Sequence, residues 1–424
     1  MDHYSIETKC VQAGWEPKNG EPRVLPIYQS TTFKYESAQA MGDLFDLKTN
    51  GFFYSRLANP TVDAVEKKIA ALEGGVGAML CSSGQMAVLS SIMNIANSGD
   101  HVISSSNIYG GTYNLFNKTL RGIGIDVEFV DPKISEEDLN ARFKENTRLV
   151  FGETVANPSL EVLDLEKFIK CAHAHDVPFF IDNTFPTPIN CRPIEWGADV
   201  VIHSTTKYMD GHAVSLGGCI VDSGKFNWRN GKFPCFTEPD ETYHGTVYAD
   251  AFGDMAFIVK ARTHIMRDIG GMMSPENAFL LNLGLETLHL RMERHCSNAM
   301  KVAQYLKNHE KVTWVTYHDL PDSPQYPLVQ KYLPKGTCGV VSFGVQGGRE
   351  AAVTFMDALR LAAIVTHVAD ARTCVLHPAS ATHRQLSDQQ LEEAGIPVEL
   401  LRFSVGIEDP VDIIADLEQA LQQI

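Results

Sequence analysis

Two reactive side chains stand where short apolar runs end. The run Val177–Ile181 stops at Asp182, followed by Asn183-Thr184, and the run Asp199–Ile202 ends in His203-Ser204-Thr205-Thr206-Lys207. Upstream, Ala78–Cys81 opens into Ser82-Ser83-Gly84-Gln85, where a helical pattern starts. A lysine amine condenses with an aldehyde, and a carboxylate holds a pyridine nitrogen protonated. The backbone N–H groups of a small-residue helix start receive a phosphate. Together these are the groups that pyridoxal 5'-phosphate (PLP) requires of a protein. Each is ordinary by itself. A lysine after a strand is most often a solvated surface residue, and a strand-end Asp is most often a cap or turn former. Their order and placement on three strand ends are what give the reading its force.

Such groups need a scaffold that brings strand ends to one edge. Short apolar runs at 78–81, 101–103, 127–130, 149–151, 177–181 and 199–202 alternate with helical candidates at 85–97, 113–120 and 164–175. That alternation predicts βαβ units and a mostly parallel sheet, with function at the carboxyl ends of its strands. The first 60 residues, punctuated by Pro22, Pro26, Gly51 and Pro60, read as an extended arm; a helix follows over 62–72 and stops at Gly74-Gly75. Past Phe257 the pattern is strongly helical, with 277–308 the longest amphipathic candidate. A second alternation (strand-like 313–315, 339–343 and 401–405, helical 349–361 and 410–422) reads as a smaller α+β domain. The expected organisation is an arm over 1–60, a large domain over 61–260 and a C-terminal domain over 261–424.

Composition narrows the partners. Of 424 residues, 44% are hydrophobic and 21% charged, the balance of an ordinary globular protein. A net charge of −16 without any Lys/Arg-rich run argues against nucleic acid and against an anionic membrane surface. Met1–Glu7 has neither a basic start nor an apolar core, and no stretch is apolar for long enough to cross a bilayer, so a cytoplasmic protein is expected. The nine cysteines include no C-x-x-C pair and read as reduced thiols. Gly75-Val76-Gly77 lacks the third glycine of a dinucleotide fingerprint. Cys171-Ala172-His173-Ala174-His175 falls in an amphipathic helix and is expected to hold no metal. His377 and His383 bracket a segment expected to line the pocket or support it.

The stretch Val200-Val201-Ile202-His203-Ser204-Thr205-Thr206-Lys207-Tyr208 closely resembles the lysine signature of the Cys/Met-metabolism, or trans-sulfuration, PLP-dependent enzymes. The resemblance extends over nearly the whole chain, through Pro26–Thr31, Tyr54–Thr61, Leu72–Gly75, Ser82–Gln85, Tyr109–Thr112, Asp182–Thr184 and Leu401–Gly406. It implies an α/β protein of fold-type I, with a mostly parallel sheet flanked by helices, an N-terminal arm and a smaller C-terminal domain. It also implies roles. Lys207 would condense with PLP and then move protons between substrate carbons, and Asp182 would meet the pyridine nitrogen. Tyr109 would stack on the ring and assist proton transfer. Gly84, Gln85, Ser204 and Thr206 would hold the phosphate. Tyr54 and Arg56 would reach the site of a neighbouring subunit, which makes the protein a homo-oligomer, at least a dimer and by the family's habit a tetramer. Arg402 would pair with the substrate α-carboxylate, and Asn157 would lie near the cofactor or that carboxylate.

The family runs γ-replacement, γ-elimination and β-elimination on one scaffold. Two local features lean toward the O-acetylhomoserine sulfhydrylase branch. One is the insertion over 224–248; the other is Gly111, where typical methionine γ-lyases carry a cysteine. The expected activity is therefore conversion of O-acetyl-L-homoserine and sulfide, or a small thiol, to homocysteine or methionine and acetate. A methionine or homocysteine γ-lyase, or another trans-sulfuration enzyme of the same family, is the alternative. His367 and Arg372 are expected near the substrate with no assigned role.

Overall fold

The apolar runs of the first half pair into one seven-stranded sheet. Its members are β1 Gly77–Cys81, β2 His101–Ser105, β3 Asp126–Val130, β4 Thr147–Glu153, β5 Phe179–Asp182, β6 Val200–His203 and β7 Gly218–Asp222, in the spatial order β1-β7-β6-β5-β4-β2-β3. The structure is a computed structural model, and it describes residues 3–382, 384, 385, 387–393 and 396–424. Strands β2 to β6 run parallel, as expected of the alternating pattern. β7 was not foreseen. It runs antiparallel between β1 and β6; the connection from β6 contains no helix, and an antiparallel neighbour needs none.

Apolar side chains fill both faces of this sheet. Leu80, Val201 and Val221 pack with Ile69 and Leu72 of the helix Pro60–Glu73, while Met79, Ile202 and Ile220 pack with Val88 and Ile92 of the helix Gly84–Met93. Helix Pro60–Glu73 starts where the pattern says it should: the Asn59 side chain accepts the Thr61 N–H at 3.0 Å, and Pro60 occupies the first turn.

The second sheet contains β8 Val312–Thr316, β9 Val340–Val345, β10 Ala363–Ile364, β11 Cys374–Leu376 and β12 Leu400–Ser404, ordered β10-β11-β12-β9-β8. Only β10 and β11 pair in parallel. Its core is closed by the helices Leu288–Lys307, Gly348–Ala358 and Pro410–Leu421. Among the described residues, no helix is long and apolar enough to cross a membrane.

Several segments pack in ways that the sequence pattern does not show. The long amphipathic helix is two helices, Pro275–Glu286 and Leu288–Lys307, separated at Thr287. The buried Arg291 guanidinium donates to the carbonyls of Tyr208 at 2.6 Å and Gly284 at 2.6 Å, contacts over distances that periodicity does not show. The N-terminal residues are not all arm: helix Ile6–Gln12 buries Cys10 in the main core, so the exposed stretch begins after it. The helical run after Phe257 still belongs to the large sheet, since Phe257, Ala261 and Met266 pack in its core.

The 224–248 insertion is packed. Trp228 stacks on Phe257 at 5.3 Å and meets Phe233 edge-on at 5.1 Å, with Phe236 and Tyr248 fully buried beside them. His244 stays exposed, its Nε2 3.1 Å from Asp46 Oδ1 just past the arm helix Ala38–Phe45.

Candidate active site

A cavity of about 220 Å³ opens at the carboxyl ends of β1, β2, β4, β5 and β6 and is closed from the other side by the second sheet. Parallel strands put their following loops at one edge, so residues far apart in sequence converge there. Lys207, Asp182, Tyr109, Gly84, Gln85, Ser204, Thr206, Asn157 and Arg402 all line it. Tyr54 and Arg56 do not. They are exposed on the arm, with the guanidinium 5.0 Å from the tyrosine ring centroid. Arg372 also lies outside the cavity wall, its guanidinium donating to the His212 carbonyl at 2.9 Å. No residue of the 224–248 insertion faces the cavity. His383 lies outside the described residues, and His377 is a buried structural histidine whose ring contacts Ser380 and the Val398 carbonyl. In the Cys171–His175 segment, His173 pairs with Asp199 at 2.8 Å and His175 stacks on Phe143.

The phosphate cradle is testable in its packing. Ser83 caps helix Gly84–Met93 by accepting the Met86 N–H at 3.1 Å, which leaves the first two N–H groups, of Gly84 and Gln85, directed to the cavity. A Cβ on Gly84 would come within 2.7 Å of the Ser204 Cβ, so only glycine lets the two small-residue loops approach this closely. Thr206 exchanges hydrogen bonds with Gly217, its hydroxyl donating at 3.1 Å and accepting at 3.0 Å, and so fixes the loop that carries Lys207.

Asp182 ends β5 and accepts the Thr184 N–H at 2.9 Å; Thr184 in turn accepts the Ser204 N–H at 2.8 Å. Glu153 ends β4 directly beside it, as its register partner. Burial raises both carboxyl groups, and two like charges at adjacent strand ends cannot both be retained. Thr184 and the nearby His203 favour the anion on Asp182, while burial and the Asp182 charge push Glu153 well above the usual carboxylate range, against the backbone hydrogen bonds it receives at Tyr109 and Asn157. Glu153 also accepts the Tyr109 N–H at 2.7 Å, which fixes the tyrosine at the cavity mouth. Sequence reading missed Glu153 and Thr184. The signal was available for the first: Glu153 stands at the end of a strand-like run by the same rule that selected Asp182.

Behind these loops, His203 and Glu73 are both fully buried, with Nε2 2.6 Å from Oε1, and Asn183 donates to the same carboxylate oxygen at 3.1 Å. This pair ties the residues next to Asp182 and Ser204 to helix Pro60–Glu73. Gly111 has a local reason too. A Cβ there would meet the Tyr109 ring at 2.5 Å and Gln85 Nε2 at 2.8 Å, so any side chain would displace the tyrosine.

Arg402 sits on the central strand β12 of the second sheet and is only 7% exposed. Its guanidinium donates to Asn157 Oδ1 at 3.3 Å and to the Thr366 and His367 carbonyls at 3.1 and 3.2 Å; Nε is buried without a partner. No carboxylate pairs with it among the described residues, and a buried guanidinium that lines a cavity suits an incoming carboxylate.

Lys207 lines the same cavity. Burial, reinforced by the Arg402 charge, lowers its pKa to about 8. The neutral amine is the nucleophile, so it is available near neutrality. Uptake of PLP by the apoenzyme, followed by visible absorbance, is expected to quicken with pH and level off above a midpoint at about 8. An ordinary lysine would keep gaining toward about 10.4. An amine of lowered pKa, a strand-end carboxylate, a small-residue helix start and a tyrosine within one cavity are the groups that PLP requires, and the residues present fit it.

Known proteins agree with this assembly. Residues 7–422 match the family described as Cys/Met metabolism PLP-dependent enzyme. O-acetyl-L-homoserine sulfhydrylase of Corynebacterium glutamicum is 46% identical over 423 residues, covering 98% of this chain and 97% of its own. The protein of the same name from Leptospira meyeri is 42% identical over 432 residues, covering 100% of this chain and 98% of its own. A solved structure assigned as an O-acetylhomoserine (thiol)-lyase of Campylobacter jejuni carries a pyridoxyl-lysine monophosphate. It superposes with a TM-score of 0.95 at 34% identity, over 99% of this chain and 100% of that one. With the lysine loop, the cradle and the strand-end aspartate all in place, the chain belongs to the Cys/Met-metabolism PLP-dependent enzyme family.

Proposed function

We propose that the protein is an O-acetyl-L-homoserine sulfhydrylase, which exchanges the acetyloxy group at Cγ for sulfide to give L-homocysteine and acetate. The observation that carries this reading is full-length similarity, at 42% and 46% identity, to two sulfhydrylases of that name. The cavity supplies the means. Arg402, with Asn157 beside it, receives the α-carboxylate and so orients the amino acid. Lys207 takes the α-proton on Nζ and returns protons as the chemistry at Cγ proceeds. Asp182 keeps its negative charge against the pyridine nitrogen, while Glu153 anchors Tyr109. Gly84, Gln85, Ser204 and Thr206 hold the phosphate. PLP, when bound, supplies the electron sink that makes the α-proton labile.

Tyr54 and Arg56 are proposed to complete the site of a second subunit, so that the active unit is at least a dimer. Their exposure on an arm, away from their own chain's cavity, supports this reading. Product analysis with O-acetyl-L-homoserine, with and without sulfide, tests the function. Homocysteine that depends on sulfide, with little 2-oxobutanoate in its absence, is expected. Rapid 2-oxobutanoate and ammonia from methionine or homocysteine, indifferent to sulfide, would instead identify a γ-lyase.

A further inference from the structure

The proposed function uses Lys207 to carry protons but does not say what aims it. Its side-chain partner is the imidazole of His367, with Nζ 3.4 Å from Nδ1. The other ring nitrogen, Nε2, is buried without a hydrogen-bond partner and faces Asp370 Oδ2 at 3.6 Å. Lysine, histidine and aspartate thus form a chain running from the cavity into the second half of the protein.

The segment that carries His367 is held from several elements at once. Arg402 donates to the carbonyls of Thr366 and His367, and the thiol of Cys374 on β11 reaches the same His367 carbonyl at 3.5 Å. The Ala369 N–H donates to the Ser404 hydroxyl oxygen at 2.8 Å, and the Ala371 N–H donates to the Gly211 carbonyl, also at 2.8 Å, in the loop that follows Lys207. Asp370 is buried and accepts the Arg372 N–H at 2.6 Å. Ala369 has a φ of +68°, a left-handed conformation that costs an alanine about 1 kcal/mol and persists only where its surroundings enforce it. Such fixation keeps the imidazole at the amine.

The charged and titratable groups around the pair set the protonation. Lys207 is faced by Arg402, Cys374 and Asp370; His367 is faced by Lys207, Asp370, Asp210 and Arg402. Burial and the two nearby cations hold His367 below its usual range, so it is a neutral ring with one donor and one acceptor. Only the tautomer with the proton on Nε2 presents a donor to Asp370 and a lone pair to the amine.

We propose that His367 is the positioning residue of Lys207: its Nδ1 accepts an N–H of the amine, Asp370 fixes the tautomer that makes this possible, and the pair directs the amine toward the substrate Cα. When Lys207 takes the α-proton, the proton stays on Nζ, and the bond to Nδ1 becomes charge-assisted and stronger; on return of the proton both groups regain their starting state. The inference rests on the proposed role of Lys207 and adds the residue that governs it.

The test compares His367→Phe, which removes the acceptor, with His367→Asn, whose amide oxygen stands near the place of Nδ1, and with Asp370→Asn. His367→Phe is expected to lower kcat by about 10- to 100-fold, at the lower end of what one proton-transfer group contributes, with KM changed little. Without an acceptor for the ammonium, the midpoint for PLP uptake by the apoenzyme should move below the wild-type value of about 8, by roughly one pH unit. His367→Asn should recover most of both properties. Asp370→Asn should lower kcat in the same sense, because its amide favours the wrong tautomer. Should the phenylalanine variant not fold, as judged by its circular dichroism, the two asparagine variants carry the test. A wild-type uptake midpoint and kcat in His367→Phe, or in Asp370→Asn, would overturn the proposal. A Lys207→Ala enzyme that still made homocysteine at the wild-type rate would instead remove the reading on which it rests.

Discussion

Lys207→Ala is expected to lower homocysteine formation by roughly 10⁴-fold and to abolish the visible absorbance that PLP gains on joining the protein. The size follows from two losses at once, the amine that joins the cofactor and the base that takes the α-proton. Stability should not fall. Burial holds the amine pKa at about 8 in the folded protein, below the value of about 10.4 in an unfolded chain. A base depressed in this way penalises the fold fully at pH below about 8 and progressively less as pH rises toward about 10.4. Alanine removes the penalty, so the apoprotein variant should melt at or above the wild-type temperature at neutral pH. A calorimetric scan beside the activity assay separates loss of chemistry from loss of fold. Retention of near-wild-type activity would be incompatible with the assigned role.

Arg402→Leu should reduce kcat/KM for O-acetyl-L-homoserine by about 10²- to 10³-fold, with most of the change in KM. Removing one partner of a desolvated, hydrogen-bonded charge pair costs about 2 to 5 kcal/mol. The substituted leucine fits an apolar strand, yet Asn157 and the carbonyls of Thr366 and His367 lose their donor. Some loss of kcat is therefore expected as well, through the His367 segment. Arg402→Lys keeps a charge but not the planar fork, and should recover only part of the loss. Steady-state kinetics of both variants, with visible absorbance to verify PLP occupancy, decides the point. An unchanged KM in Arg402→Leu would assign the carboxylate to another group.

The site was legible where chemistry coincides with strand ends. Lys207, Asp182 and the Ser82–Gln85 loop stand at the ends of apolar runs, and a parallel sheet necessarily gathers such ends at one edge. Glu153 obeys the same rule but sits in no motif, and what makes it matter, its register beside Asp182, is a pairing across strands. β7 eluded the reading because it runs against its neighbours, which the βαβ alternation does not suggest. At the break at Thr287, Arg291 donates to the Thr287 hydroxyl and also reaches the Tyr208 carbonyl, and local periodicity carries no record of the second contact. The 224–248 insertion was visible as extra chain. Its burial of Trp228 and Phe236 against Phe257 was not, because a cluster of aromatics in a turn-rich segment reads equally well as a loop.

Arg402 belongs to the second sheet and Lys207 to a loop of the first, with the cavity between them. An amino acid held at its carboxylate by one half and worked on at Cα by the other acts as a temporary brace between two bodies. Val340 of β9 shares one core with Val201 and Val221 of the large sheet, so that brace would act across a seam already packed, and turnover would report how closely the two sheets are docked.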